Sequence, residues 1–202
     1  MTTVKWSPKR RYSAVAIFSE DLERVVLIHK QKPDWQAGKA NLPGGKVEGF
    51  APNRFACNGT GDWPRDHWHD IEEKAYINCA ARELREETGL DVAAAALKLF
   101  CRLCFKTPEG DAAECCFFAA RGDVDAARTV EAERVFVGEV AEVIAGGVSY
   151  HYWSDRAMSD ECGIIPTMPN LPYIVAMARQ CLRGGDTTKT WPLTVYENGA
   201  TP

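Results

Sequence analysis

The stretch Arg82-Glu83-Leu84-Arg85-Glu86-Glu87-Thr88-Gly89-Leu90 decides how this chain is read. Glu83, Glu86 and Glu87 stand at i, i+3 and i+4, the spacing at which side chains become neighbours on a helix. Gly89 follows as a C-cap residue and ends the helix. Like charges set this way repel, so the helix gains nothing from them unless a positive charge sits between. A hard divalent cation held by oxygen ligands supplies that charge. A solvated acidic face is the competing reading.

Upstream, Asn41-Leu42-Pro43-Gly44-Gly45-Lys46-Val47-Glu48 places a proline and two glycines after a short extended run. The chain turns tightly there with its backbone open, so a carbonyl or amide can approach a metal ion or a phosphate closely. A Gly-Gly-x-x-Glu loop followed by R-E-L-x-E-E-T-G-L resembles the Nudix box, G-x5-E-x7-R-E-U-x-E-E-x-G-U with U a bulky aliphatic residue. Gly45, Arg82, Glu83, Leu84, Glu86, Glu87, Gly89 and Leu90 match that pattern in identity and order.

The spacing departs from the pattern. Gly45 and Arg82 stand 37 positions apart where the box has 14, an insertion of 23 residues inside the motif, at about 50–72. The early glutamate of the box belongs eight positions before Arg82, and Lys74 stands there. Asp70-Ile71-Glu72-Glu73 reads as a helix start, with Asp70 as N-cap and Glu73 returning to the cap amide. On a continuous helix Glu73 and Arg82 fall on opposite sides, so Glu73 reads as a cap rather than as the absent acid.

Pyrophosphate crowds negative charge on neighbouring oxygens. Water attack at phosphorus needs that charge neutralised and a nucleophile positioned, work that a carboxylate-held Mg2+ can do while a free carboxylate takes the proton. The resemblance makes this specific. It implies Mg2+- or Mn2+-dependent hydrolysis of a nucleoside diphosphate linked to another group X. By position, Glu83, Glu86 and Glu87 would be metal ligands, with the backbone of Gly45 contributing. Glu83 and Glu86 would form the catalytic group with Arg82, which would orient a box carboxylate. The general base is Glu83 or an acid of a later loop, among Glu131, Glu133 and Glu139.

Around the motif the chain alternates strand and helix patterns. Residues 12–19 and 24–30 are β-rich runs joined by a polar turn, and 39–42 lead into the Gly-Gly loop. The helix is expected over 70–88. Residues 96–105 and 112–120 flank Pro108-Glu109-Gly110-Asp111 as a second hairpin, followed by a strand at 134–137 and a short helix at about 139–145. Leu171, Ile174, Val175 and Ala178 keep helical spacing over 170–182, which Gly184-Gly185 closes; 191–195 reads as an edge strand. Strands with helices around them indicate an α/β fold. The resemblance implies the same, a Nudix-type α/β/α sandwich with a mixed sheet, taken as one domain over 1–202.

The inserted segment carries Phe50, Phe55, Trp63 and Trp68 among turn residues, and reads either as a lid that stacks on a base or as a compact loop on the body. Cys57, His67 and His69 make only a weak zinc pattern. Substrate contacts are expected from Asn170, Tyr173 and Trp153, which offer an amide edge and aromatic faces. Each also reads as capping or packing, and Asn170 stands at a helix N-cap position. Met168-Pro169-Asn170-Leu171 resembles the segment that closes the base pocket in Nudix proteins that clean nucleoside triphosphates. Nucleoside triphosphates are therefore preferred over ADP-ribose and dinucleotides.

Composition narrows the class. The chain has 202 residues, 46% hydrophobic content and a formal net charge of −4. That permits a sizeable core but no run near the ~20 apolar residues of a membrane span. An acidic balance argues against bulk nucleic-acid binding, and a decapping activity on RNA lacks a concentrated basic tract. Cys115 and Cys116 are adjacent among eight cysteines and no secretory signal is visible, which points to reduced thiols in a cytoplasm. Cys101 and Cys104, three apart in a strand, face opposite ways and read as core. The expected partners are a small nucleotide and, at most, a second copy of the chain. A Nudix-fold module that binds nucleotide without turnover is the competing class.

Overall fold

A computed structural model describes residues 8–48, 65–107, 109–131, 133–151 and 162–184. The strands are β1 (Arg10–Phe18), β2 (Arg24–His29), β3 (Ala40–Asn41), β4 (Gly44–Lys46), β5 (Lys98–Lys106), β6 (Ala112–Arg121), β7 (Arg134–Glu139), β8 (Gly147–His151) and β9 (Cys162–Pro166). The helices are α1 (Arg65–Thr88), α2 (Val140–Ala145) and α3 (Leu171–Leu182).

Alternation along β1 builds two cores from one strand. Val15 and Ile17 face α1 and pack with Tyr76, Ala80, Leu84, Cys116 and Phe118. Ala14, Ala16 and Phe18 face the other way, onto Phe117, Ala119, Val140, Val143, Leu171, Ile174 and Val175. Such a strand, apolar on both faces, must lie inside a sheet covered on both sides. The strand order is β3-β2-β1-β6-β5, with β4 paired to β1 and β7 to β2. β1 runs parallel to β6 and antiparallel to β2 and β4, so the sheet is mixed. The expected α/β/α sandwich is the observed fold.

Four elements differ from the sequence reading. α1 begins at Arg65, five residues before Asp70, so Asp70 is not its N-cap: a cap residue leaves helical geometry. Arg65 to His69 contains neither Gly nor Pro, and Pro64 immediately precedes it, so nothing there breaks the helix and a helix-start residue stands before it. Part of the insertion thus lengthens the box helix. β8 and β9 form a separate two-stranded antiparallel sheet where no strands were expected. The Gly-Gly loop carries a short strand, β4. The inserted Phe50, Phe55, Cys57 and Trp63, the candidate Trp153, and the edge strand at 191–195 lie outside the described residues.

Cys79, Cys101, Cys104, Cys115, Cys116 and Cys181 are free and buried. Cys101 packs in the core beneath α3 while Cys104 approaches Glu114 on the opposite face, as the alternation predicts. Among the described residues, no helix is long and apolar enough to cross a membrane.

Candidate active site

β1 fixes the Gly-Gly loop. Ser13 pairs with Gly45 and Ala14 with Gly44, and the Val15 and Val47 amides bond the carbonyls of Pro43 and Arg11, each at 2.9 Å. At Gly44 the backbone of β1 comes so close that a Cβ would lie 2.7 Å from the Ala14 Cα and against the Ser13 carbonyl. At Gly45 the space is taken by Glu83, whose Oε1 would meet a Cβ at 2.6 Å. The box helix and the loop therefore meet with a carboxylate resting on a bare Cα.

α1 ends as its sequence specifies. Gly89 adopts φ +70°, its amide bonds the Arg85 carbonyl at 2.9 Å, and Thr88 returns its hydroxyl to Leu84. The following chain folds back on this end. The Arg128 and Val130 amides bond the Thr88 and Glu87 carbonyls, at 3.0 and 3.4 Å. That return brings Glu133 beside Glu87 through a shared cation. Lys30 Nζ lies 3.3 Å from Glu87 Oε1 and 2.7 Å from Glu133 Oε2. Glu87 Oε2 accepts the Gly44 amide at 2.7 Å.

Arg82 serves the other two box acids, donating to Glu83 Oε1 at 2.6 Å and to Glu86 Oε2 at 2.7 Å. Among the described residues no three acid, cysteine or histidine side chains converge on one point fit for a metal. Each box carboxylate is instead held by a cation of the protein. The donor set is nevertheless all oxygen, which suits a hard divalent ion. The bare Gly45 Cα also lets the Glu83 carboxylate lie directly against the loop. The residues fit such an ion in kind once Arg82 and Lys30 give up bonds.

Burial pushes the Glu87 carboxyl up to about 7, against Lys30 and the Gly44 amide and with Glu133 adding to the rise. Glu83 is also raised, by burial first, with Arg82 opposing and Glu86 adding. An acid whose folded-state pKa exceeds its ordinary 4.5 holds its proton more tightly in the fold. Glu87 then costs nothing below pH 4.5, and the metal-free fold loses stability as pH rises to about 7. The full loss is about 3 kcal/mol. Denaturant unfolding in chelator at pH 5 and pH 8 is expected to show a larger drop for the wild type than for Glu87→Gln. Equal drops would remove Glu87 as the source.

The Gly-Gly loop opens onto a cavity of about 510 Å³. Tyr12, Phe105 and Trp35 supply aromatic surface, and Lys30, Lys32, Lys39 and Lys46 supply positive charge. Tyr12 and Phe105 stack with ring centroids 6.3 Å apart. The Met168 amide bonds the Ala40 carbonyl at 3.0 Å, which pins the start of α3 beside β3 and sets Met168 and Asn170 in the cavity wall. Asn170 occupies the N-cap position, yet its side chain makes no cap hydrogen bond. Tyr173 is 73% exposed and not part of the wall. Of the later acids, Glu133 is at the site and the exposed Glu131 is near enough to add to the rise of Glu83, whereas Glu139 ends β7 opposite Arg24. Lys74, in place of the early box acid, is exposed.

The NUDIX domain family model matches residues 8–143, more than half of the chain. The chain belongs to the Nudix hydrolase family. Among solved structures, the NUDIX domain of Shewanella oneidensis NrtR complexed with ADP ribose aligns with a TM-score of 0.54 at 14% identity, over 90% of this chain and 94% of that one. A MutT/nudix family protein from Enterococcus faecalis aligns with a TM-score of 0.54 at 13% identity, over 91% and 66%. A MutT protein from Bacillus halodurans aligns at 0.50 with 16% identity, over 93% and 86%. At these identities the likeness is one of Nudix fold. No curated protein matches the chain.

Lys30, Trp35 and the Tyr12–Phe105 pair were not singled out in the sequence. Lys30 follows an apolar strand, where a lysine is ordinarily solvated. Only the return of the chain onto the end of α1 adds Glu133 to Glu87 as its second partner.

Proposed function

We propose that this Nudix protein is a Mg2+-dependent pyrophosphohydrolase of small nucleotides, with nucleoside triphosphates as the preferred class. The observation that carries the reading is the junction of box acids and cavity. Glu87 and Glu83 rest on Gly44 and Gly45, and the same glycines open into a space whose wall carries four lysines. Pockets of this size bury a nucleotide-sized ligand.

Glu83, Glu86 and Glu87 would hold the divalent ion with the Gly45 backbone; Mn2+ would serve in its place. When bound, it neutralises phosphate charge and acidifies water. Arg82 orients Glu83 and Glu86. The lysines of the wall attract and align the phosphates. Glu83, raised by burial, is suited to take the proton of the attacking water, and Glu133 is the alternative base. Tyr12, Phe105 and Trp35 offer faces for a base, and the uncommitted amide of Asn170 offers its edge a hydrogen-bonding partner. Free buried thiols support a cytoplasmic setting.

ADP-ribose is the second reading, favoured by the ligand named for the similar NrtR domain. Lys74 in place of the early acid keeps a non-catalytic binding module as the competing class. A phosphate-release screen with added pyrophosphatase and phosphatase separates these. It covers nucleoside triphosphates, ADP-ribose and dinucleotides, with and without Mg2+. We expect chelator-sensitive turnover of nucleoside triphosphates. Turnover of ADP-ribose alone would move the substrate class, and ligand binding without product would establish the module.

A further inference from the structure

Lys30 is fixed through its backbone alone. Its amide bonds the Lys39 carbonyl and its carbonyl accepts the Gly38 amide, both at 3.0 Å, so the backbone just beyond β2 is held on both sides. Its side chain is 12% exposed, and those of Glu87 and Glu133 are 7% and 17% exposed. A buried ammonium persists only with partners, and two carboxylates this close to one another need a cation between them. Glu133 is further held by the Gln31 amide at 3.4 Å on its other oxygen. Lys30 also lines the cavity.

We propose that Lys30 is a positioning residue that acts as a resident cation of the Nudix site. It holds Glu87 in the metal-free protein and is displaced from that carboxylate when a divalent ion enters. The inference rests on the metal-dependent reading above. Glu87 Oε1 cannot serve the ammonium and a metal ion equally, and an ammonium beside a dication is repelled by it. Lys30 has three donors, of which two are engaged. On displacement it keeps Glu133, and the released N–H is available to the cavity, where the phosphates of a substrate would lie. The device makes metal binding weak without substrate and stronger with it. A bound phosphate takes over the freed donor, and its own negative charge favours the ion.

The test is Mn2+ binding to the full chain, read by electron paramagnetic resonance of the free ion, together with melting temperatures with and without Mn2+. Lys30→Met is expected to bind Mn2+ at least fivefold more tightly than the wild type. Its metal-free melting temperature falls, so its gain on adding Mn2+ is larger. Lys30→Arg keeps the charge and is expected to restore weak binding. If Lys30→Met does not fold, Lys30→Gln carries the same expectation. Unchanged or weaker Mn2+ affinity in the neutral variants overturns the role of Lys30 and leaves the metal site standing. No Mn2+ binding by the wild type would instead overturn the metal-dependent reading itself.

Discussion

Glu86→Gln is expected to lower metal-dependent kcat by about a hundredfold or more while leaving the melting temperature nearly unchanged. The two halves of this expectation come from different parts of the structure. The Glu86 side chain is 40% exposed and makes one ion pair, to Arg82, four residues earlier on α1. A pair of that kind contributes only about 0.3–0.5 kcal/mol. Its loss is partly offset, because one charge leaves a like-charged cluster near a helix C-terminus, where the helix dipole already disfavours acids. For chemistry the same atom counts far more. A carboxylate that neutralises a divalent ion contributes to charge stabilisation in the transition state, where an amide of the same shape does not. Steady-state kinetics at saturating Mg2+, with thermal denaturation in chelator, checks both halves. Near-native turnover would withdraw Glu86 from the ligand set, and a large loss of stability would make it a structural residue.

What could be read from the chain was what is encoded locally. The box helix, its Gly89 stop and the Gly-Gly turn depend on residues within a few positions of one another. Apolar spacing in α3 identified Leu171, Ile174, Val175 and Ala178 as the buried stripe, all of which are buried. The same stripe carries the reason Tyr173 lies outward: two positions after Leu171, a helix has turned through more than half a circle. The start of α1 is not legible locally because a cap pattern at Asp70 competes with an unbroken helical run, and the run prevails. The Lys30–Glu87–Glu133 group was beyond reach for another reason. Its members are separated by 57 and 103 positions along the chain. They meet only because residues 128–130 cap the carbonyls at the end of α1, and capping of that sort leaves no periodic trace in sequence.

The two glycines of the loop are expected to fail in opposite ways when each is changed to alanine. At Gly44 the new Cβ meets backbone, the Ser13 carbonyl and the Ala14 Cα, in the central strand of the sheet. Neither can move without dragging β1, so Gly44→Ala is expected to cost about 3 kcal/mol or more. In a chain of this size that is a fall in melting temperature of about 6–12 °C. At Gly45 the obstacle is the far end of the Glu83 side chain, which a rotamer change can clear. Gly45→Ala should therefore stay within about 1 kcal/mol of the wild type. The carboxylate it displaces is the one held by Arg82 and assigned both to metal and to the water's proton. A misplacement near 1 Å at such a group costs about a hundredfold in rate. Melting temperatures and chelator-sensitive turnover of both variants decide the matter. If Gly45→Ala retains full activity, Glu83 does not need its seat against the loop. The metal-binding role of the box would then have to rest on Glu86 and Glu87 alone.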